Sequence, residues 1–227
     1  MLFASLWLRL SMNEVASALP NPGVSAWLSL TYRAKLAPGE TVLVLGATGV
    51  TGQLAIQIAK LLGAKRVIGA GRDARALGRL RELGADTTIQ LAQSPDSLKE
   101  TFAREAGETG FDVIIDYVWG RPTETLLAAI TKSEFAAATR ETRLLQVGES
   151  AAPTITLRAA VLRSTALTIL GTAGVPPREV LFDAMQQVLG RAARGELRID
   201  TERVPLADIE KVWERKEEGG RRIVVFP

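Results

Sequence analysis

The sequence predicts an α/β fold, arranged as a doubly wound parallel sheet of six strands flanked by helices. From residue 38 onward, short β-branched runs alternate with helical patterns, which is typical of parallel strands joined by crossover helices. Gly63, Gly84 and Gly107 each stand where a predicted helix has to end, as glycines at helix C-termini do. Right-handed crossovers between successive strands then favour the strand order 3-2-1-4-5-6.

Each strand is predicted from a short β-branched or apolar run, and most of these runs are followed by a helical pattern. The strands are predicted at residues 41–45, 66–70, 87–90, 112–115, 144–147 and 166–170. The helices that flank them are predicted at residues 53–62, 74–83, 95–106, 123–130 and 177–193.

The two ends of the chain do not follow this alternation. Residues 11–36 are predicted to be helical, in two pieces separated by the sequence Pro-Asn-Pro-Gly at 20–23. The tail is predicted to form a β-α-β unit, with strands at 197–200 and 223–226 around a helix at 206–216. The sequence therefore predicts a helical lead-in over residues 1–37, the sheet domain over 38–194 and a C-terminal unit over 195–227.

The composition excludes several kinds of site. The 227 residues include no cysteine and no histidine, which excludes disulfides, thiolate nucleophiles, cysteine-bound zinc and a Ser-His-Asp triad. We therefore predict no metal site, and any proton transfer has to use a carboxylate, a lysine, a tyrosine, a substrate or cofactor hydroxyl, or water. The 28 basic and 25 acidic residues are intermixed, so no clustered basic face for nucleic acid is indicated.

The sequence predicts a cytoplasmic protein. Residues 1–10 are apolar, but they lack the basic start of a signal peptide, and Arg9 and Glu14 interrupt the apolar run. No segment reaches the roughly 18 uncharged apolar residues that a membrane-spanning helix needs. We therefore expect no membrane partner.

The sequence TVLVLGATGVTG at residues 41–52 leads from an apolar strand through a glycine-rich turn into a helix. Such a turn presents backbone amides at a helix N-terminus, where a pyrophosphate binds. Gly49 allows the backbone to approach the phosphates, and Gly52 allows the helix to pack closely on the strand. A tight turn without a ligand is the alternative. The strand–turn–helix context favours dinucleotide binding by Ala47, Thr48, Gly49, Val50, Thr51 and Gly52.

The end of the second strand favours NADP(H) over NAD(H). An NAD site usually has an acidic residue there, which accepts a hydrogen bond from the ribose 2′-hydroxyl. Here Gly71 leaves space for a 2′-phosphate, and Arg72 supplies a planar cation to pair with it. Arg75 is close enough in sequence to assist, whereas Asp73 is a nearby acid that would repel a phosphate. The alternative is that these arginines are only solvated.

Several stretches of the chain together resemble the medium-chain dehydrogenase/reductase superfamily, and most of all its zinc-independent quinone oxidoreductase-like branch. They are ALPNPG at 18–23, AWL at 26–28, PGETVLV at 38–44, GATGVTG at 46–52, AKLLGA at 59–64, LGAD at 83–86, DVIID at 112–116, VPL at 204–206 and GRRIV at 220–224. The resemblance extends from residue 13 to residue 227, and the stretches are much more specific jointly than any one of them is alone.

The resemblance implies a Rossmann nucleotide-binding domain beside a GroES-like β-barrel catalytic domain. It also implies hydride transfer from NADPH to a quinone, an enone or a similar activated carbonyl. Family members place the nicotinamide near the ends of the later strands, which here points to Val147, Gly148 and Gly171, with Asp116 and Tyr117 on the same rim. A homodimer joined along the sixth strand is a further expectation from the family.

The chain departs from the family pattern at its start. Family members begin with the barrel domain, which supplies one wall of the substrate pocket, and residues 1–10 resemble no part of it. We therefore expect the lead-in to correspond to the family's linker helices, and the tail to be a remnant of the catalytic domain. No catalytic residue can be assigned, and the adenine-side tyrosine of many quinone oxidoreductases is replaced at about Leu91.

The sequence leaves three functions open. The first is an NADPH-dependent oxidoreductase of quinone-reductase type, weakly active or active with a partner chain. The second is a catalytically inactive NADP(H)-binding fragment or sensor that acts through a partner. The third is a short-chain reductase, because GATG at 46–49 also resembles the nucleotide turn of those enzymes. That class needs a Tyr-x-x-x-Lys pair, and Tyr32 and Tyr117 are followed by Leu36 and Arg121, so it is disfavoured.

Overall fold

The structure is a computed structural model, and it describes residues 13–131, 141–172, 174, 176–215 and 220–227. The strands are β1 (Thr41–Leu45), β2 (Arg66–Gly71), β3 (Thr87–Gln90), β4 (Val113–Asp116), β5 (Glu141–Gln146), β6 (Ala166–Gly171), β7 (Thr201–Pro205) and β8 (Arg222–Phe226). The α-helices are α1 (Asn13–Ala18), α2 (Pro20–Leu28), α3 (Val50–Leu61), α4 (Ala74–Leu80), α5 (Pro95–Ala106), α6 (Gly120–Ile130), α7 (Ala159–Ser164), α8 (Arg178–Ala193) and α9 (Ile209–Trp213).

Six of these strands form one parallel sheet in the order β3-β2-β1-β4-β5-β6. This confirms the predicted α/β class and the predicted strand order. Strands β2 and β3 lie on one side of β1, and strands β4, β5 and β6 lie on its other side. The remaining strands, β7 and β8, form a separate parallel pair around α9, which is the β-α-β unit expected for the tail. Within the described ranges, no helix is both long and apolar enough to cross a bilayer.

The sheet is buried on both faces at its centre, because β1, β2 and β4 are almost continuous apolar runs. On one face, α2, α3 and α8 pack against the sheet through side chains such as Trp27, Ile58 and Val188. On the other face, α5 and α6 pack through Phe102 and Leu126. The strands are therefore held in register by two apolar layers, and their carboxyl ends lie at a common edge.

The lead-in packs onto this core but begins differently from the prediction. The sequence Pro-Asn-Pro-Gly at 20–23 does not separate two helices; it forms the first turn of α2, with Pro20 at the start, where a missing amide costs no hydrogen bond. The break lies at Leu19, which is fully buried. A π-helical turn, Ser29–Arg33, follows α2 and ends the lead-in.

The predicted strand at residues 197–200 is wrong, and the strand of the tail is β7. The alternation of Leu197 and Ile199 reflects burial, since Leu197 is buried and Ile199 packs against the core. The backbone of Arg198, however, bonds to a side chain: its N–H donates to Gln57 Oε1 at 2.8 Å and its carbonyl accepts from Gln57 Nε2 at 2.9 Å. The side-chain amide of Gln57 therefore takes the place of a neighbouring strand.

The predicted helix at residues 206–216 is shorter than expected. A 3₁₀ turn, Leu206–Asp208, leads into α9, which ends at Trp213. Leu206 and Trp213 are exposed, so the apolar face that predicted this helix is not buried in the described part of the chain. Residue 216, the predicted end, lies outside the described residues.

Other boundaries differ by a few residues. The fifth strand starts at Glu141, three residues before its predicted start, and the helix after β4 starts at Gly120 rather than at residue 123. The short helix α7 has no counterpart in the prediction, because six residues carry too little periodicity to be recognised. The glycines predicted to end helices, Gly63, Gly84 and Gly107, all have positive φ.

Candidate nucleotide-binding cleft

A cleft of about 370 Å³ lies at the carboxyl ends of β1, β2 and β4, where the strand order reverses. Ligands of open α/β sheets bind in crevices at this place. The cleft is lined by Gly46, Thr48, Gly49, Val50, Thr51, Gly52, Gly71, Arg72, Leu91, Tyr117, Val118, Pro122, Ser150 and Ala151.

The glycine turn between β1 and α3 is folded tightly by its own backbone. The amides of Gly46 and Ala47 both donate to Ala70 O at 2.9 Å, and Gly49 N–H donates to Gly46 O at 3.1 Å. A β-carbon at position 52 would lie 2.4 Å from Gly46 O, so only glycine fits there. The predicted close packing of helix and strand at Gly52 is therefore a steric requirement of this turn.

The N-terminus of α3 points its first amides into the cleft. Gly49 is the N-cap and supplies no side chain to bond those amides, and Gln53 N–H is the first to find an intrahelical partner, Gly49 O, at 2.9 Å. The amides of Val50, Thr51 and Gly52 precede it and belong to the group that a helix leaves unpaired. Together with the positive end of the helix dipole they favour an anion.

The end of β2 provides a second feature that favours a phosphate. A β-carbon at position 71 would lie 2.4 Å from Thr48 Cγ2, so Gly71 lets the strand end and the glycine turn come together. Arg72 is exposed and lines the cleft. The carboxylate of Asp73 caps α4, where Oδ1 accepts from Arg75 N–H at 2.8 Å and from Ala76 N–H at 3.3 Å. The acid that would oppose a phosphate is thus engaged in a helix cap.

The carboxylate of Asp116, at the end of β4, is fully buried and bonded inside the protein. Its Oδ1 accepts from the amides of Val118 at 2.8 Å and Trp119 at 2.9 Å, and its Oδ2 accepts from the Thr123 hydroxyl at 2.5 Å. Burial raises the pKa of this carboxyl, although the three hydrogen bonds act in the opposite direction. They fold a sharp turn in which Trp119 has φ of 55°, a conformation that costs energy for any residue except glycine.

Tyr117 forms part of the cleft wall, but its hydroxyl is buried and has no hydrogen-bond partner among the described residues. Burial raises the pKa of this phenol, so it is neutral at physiological pH. Its carbonyl accepts from the Ser150 hydroxyl at 3.1 Å, which joins the loops after β4 and β5.

The structure brings some of the predicted residues to the cleft and leaves others away from it. Thr48, Gly49, Val50, Thr51, Gly52, Gly71 and Arg72 line it. Ala47 and Asp116 are buried behind it, Val147 packs against the core, and Gly171 is exposed at the end of β6. Gly148 lies beside Tyr117, since a β-carbon there would be 2.8 Å from Tyr117 O. The roles predicted for these residues in cofactor binding stay predictions.

Sequence reasoning missed several residues of the wall, namely Val118, Pro122, Ser150 and Ala151. These follow β4 and β5, and their position is set by the turn that Asp116 folds and by the loop that Ser150 joins to it. No signal in their own sequence reports this position, because it depends on the tertiary contacts of these two loops. In the part of the chain that the structure describes, no group of three or more acidic residues could hold a metal ion.

Comparison with known proteins identifies the family. The family model described as zinc-binding dehydrogenase matches residues 50–189, which is more than half of the chain. The chain belongs to this family. A probable NADPH-dependent quinone reductase, tdiC of Emericella nidulans, is 28% identical over 229 residues, which cover 96% of this chain and 63% of that protein. The recognised resemblance to quinone oxidoreductase-like medium-chain dehydrogenases/reductases is thereby confirmed.

Solved structures share the fold. The crystal structure of AibC is 28% identical and superposes with a TM-score of 0.75, over 95% of this chain and 60% of that one. The Escherichia coli quinone oxidoreductase complexed with NADPH is 22% identical, with a TM-score of 0.73, and the match covers 91% of this chain and 63% of that one. This chain therefore spans about three fifths of the length of these three proteins.

Proposed function

We propose that this protein is an NADP(H)-dependent oxidoreductase that transfers a hydride from NADPH to a quinone, an enone or a similar activated carbonyl. The observation that carries the proposal is the pairing, in one cleft, of the unbonded amides of α3 with Arg72 at the end of β2. A relative supports it, since tdiC is a probable NADPH-dependent quinone reductase.

The described residues fit the cofactor at its phosphate groups. The amides of Val50, Thr51 and Gly52 would hold the pyrophosphate, which needs several donors and no side-chain bulk. Arg72 would pair with the 2′-phosphate, because its guanidinium can donate two parallel hydrogen bonds to phosphate oxygens. The carboxylate of Asp73 keeps its charge, but it is held at the N-terminus of α4, where two backbone amides and the helix dipole offset part of its repulsion of this phosphate.

The nicotinamide end of the cofactor is assigned to the loops after β4, β5 and β6. When bound, the reduced nicotinamide supplies the hydride. Tyr117, Gly148 and Gly171 would form its surroundings, and the absence of a side chain at Gly148 keeps the loop after β5 close to Tyr117. The neutral phenol of Tyr117 adds no charge to this region. The substrate would be a small molecule, and the reaction would need no zinc.

The proposal includes four further expectations from the sequence. They are a cytoplasmic location, a homodimer joined along β6, no nucleic-acid partner, and the division into a lead-in over 1–37, a nucleotide-binding domain over 38–194 and a remnant of the catalytic domain over 195–227.

Binding of NADP(H) without turnover is the second candidate function. One observation favours it. Among the described residues of the cleft wall, the only ionisable side chains are Arg72 and Tyr117, whose hydroxyl is buried. A protein of this kind would bind or sense the cofactor and act through a partner.

The two functions are separated by measuring binding and turnover on the same preparation of the 227-residue chain. NADPH is expected to raise the melting temperature, because a ligand that binds only the folded state stabilises it. Oxidation of NADPH with a panel of small quinones and enones is expected if the chain is an enzyme. A raised melting temperature without oxidation of NADPH leaves the second function, and no change in melting temperature rejects both.

Replacing Arg72 by alanine tests the phosphate clamp. Loss of one charge-assisted pair costs about 1.5–3 kcal/mol, so Arg72→Ala should weaken NADPH binding roughly ten- to hundredfold. NADH lacks the 2′-phosphate, and its affinity should be nearly unchanged. Arg81→Ala is the control, since Arg81 is exposed at the far end of α4. Equal losses for both cofactors, measured by calorimetry, would reject the assignment of Arg72.

A further inference from the structure

The end of β3 touches the proposed phosphate clamp through one side chain, Gln90. It is the last residue of β3 and pairs in the sheet with Gly71, the residue before Arg72. Its Nε2 donates a hydrogen bond to Arg72 O at 2.8 Å. We propose that Gln90 is a positioning residue that sets the preference for NADPH over NADH by fixing the backbone of Arg72, an inference that rests on the proposed function.

The backbone around Arg72 is held on three sides, and Gln90 supplies one of them. Before Arg72, Leu91 N–H donates to Gly71 O at 2.8 Å and continues the pairing of β2 with β3. After it, Asp73 caps α4. The peptide between Arg72 and Asp73 is the remaining link, and its carbonyl is the one that Gln90 holds. Without this bond, the peptide could rotate and carry the guanidinium away from the phosphate.

The orientation of the Gln90 amide is determined by its partner. A carbonyl can only accept, so the atom that faces Arg72 O has to be the nitrogen. The other atom, Oε1, is then buried, and it has no hydrogen-bond partner among the described residues. A buried acceptor without a partner lowers stability. Glutamine is thus a poor choice for stability at this position but a good one for holding the carbonyl of Arg72.

These opposite effects give Gln90 a signature that a purely structural residue would not have. Methionine has nearly the same shape as glutamine and cannot donate the hydrogen bond to Arg72 O. Gln90→Met removes the unpaired acceptor and exposes Arg72 O to water, because this hydrogen bond lies at an exposed site. The variant should therefore melt at the same temperature as the parent or higher, while its preference for NADPH falls.

The experiment measures the dissociation constants of NADPH and NADH for the parent chain, Gln90→Met, Arg72→Ala and the double variant. Loss of one hydrogen bond corresponds to about a fivefold to tenfold weaker binding of NADPH for Gln90→Met, with NADH changed less than about twofold. In the Arg72→Ala background, Gln90→Met should have no further effect, because the two residues act as one unit. Gln93→Met is the control: its Nε2 donates to Gln90 O at 2.5 Å and it does not bond to Arg72, so it should keep the preference.

The outcomes separate this inference from the proposed function. If Arg72→Ala abolishes the preference and Gln90→Met keeps it, the role of Gln90 is rejected and the phosphate clamp stands. If Gln90→Met weakens NADPH and NADH equally, or lowers the melting temperature as it lowers affinity, Gln90 is only structural. If the parent chain has no preference for NADPH, the clamp fails and this inference fails with it.

Discussion

Asp116 shows how one buried carboxylate shapes the cleft without facing it. Its oxygens are bonded to Val118, Trp119 and Thr123, and burial raises its pKa above the ordinary value of 3.8. A raised pKa means that the contribution of this group to stability is complete below about pH 4 and is lost as the pH rises through the pKa of the folded state. At neutral pH the hydrogen bonds of this carboxylate therefore stabilise the fold, whereas the burial of its charge destabilises it.

Replacing Asp116 by asparagine should separate these two effects. The asparagine oxygen can keep the two amide bonds, and its nitrogen can donate to the Thr123 hydroxyl. Asparagine does not titrate, so the stability of Asp116→Asn relative to the parent should increase as the pH rises from about 4 to 8. Melting temperatures across this range measure the difference. Asp183→Asn, which removes an exposed carboxylate from α8, controls for the loss of one charge. A difference that is flat or falls with pH would contradict the assigned direction of the shift.

The residues of the site that could be predicted are those whose identity is dictated locally. Gly52 and Gly71 have to be glycine because a β-carbon would meet the backbone of the turn or Thr48, and such positions are legible in a strand–turn–helix sequence. Pro122 and Ala151 reach the same cleft only through the turn at Asp116 and the loop after β5. Nothing in their own sequence reports this tertiary arrangement, so a single sequence could not indicate them.

At the scale of secondary structure, the side chain of Gln57 attaches the tail to α3. Its amide bonds twice to the backbone of Arg198, and its Nε2 also donates to Gln53 O at 3.2 Å. The tail returns to the same helix at Gly220, where a β-carbon would lie 2.3 Å from Gln53 Nε2 and 2.4 Å from Thr48 O. Gln53 Nε2 donates to Thr48 O at 3.0 Å. Hydrogen bonds therefore connect Arg198 in the tail, through Gln57 and Gln53, to the glycine turn.

Gln57→Ala should therefore loosen the tail more than the sheet. Losing the two hydrogen bonds to Arg198 and the one to Gln53 O costs on the order of 2–3 kcal/mol in the free energy of unfolding. Hydrogen exchange should accelerate most in residues 197–205, and NADPH should bind more weakly because Gln53 loses a neighbour. Gln186→Ala, at an exposed position on α8, is the control. Slow exchange in residues 197–205 of the variant would show that the tail is held by other contacts.

The elements that could be predicted well are those whose sequence pattern indicates how they are buried in the fold. β1 has the predicted bounds, because residues 41–45 are buried on both faces and are bounded by turn residues. β3 also has the predicted bounds, although it is an edge strand in which only Ile89 is buried. The tail was less predictable for a physical reason. The alternation at 197–200 fits a strand and equally fits an extended segment bonded to Gln57, and only the fold decides which partner the backbone finds.

At the scale of the whole molecule, the sheet ends in an open edge. β6 pairs with β5 on one side only, and within the described residues its other edge has no partner strand. Ala166, Thr168 and Ile169 on this strand are exposed. An unpaired and partly apolar edge favours addition of another strand. A second copy can supply it, since the same edge on two subunits is self-complementary about a two-fold axis.

Placing a charge on this edge tests the proposed homodimer. Ile169→Lys adds a solvated cation at a position that two-fold pairing would bury, so it should convert a dimer into a monomer in sedimentation velocity experiments. Trp213→Lys is the matched control, because it also replaces an exposed apolar side chain by lysine but lies on α9 in the tail. NADPH affinity should be retained in both variants, since the cleft lies at β1, β2 and β4. A monomeric parent chain, or a dimer that survives Ile169→Lys, would mean that β6 does not join two subunits.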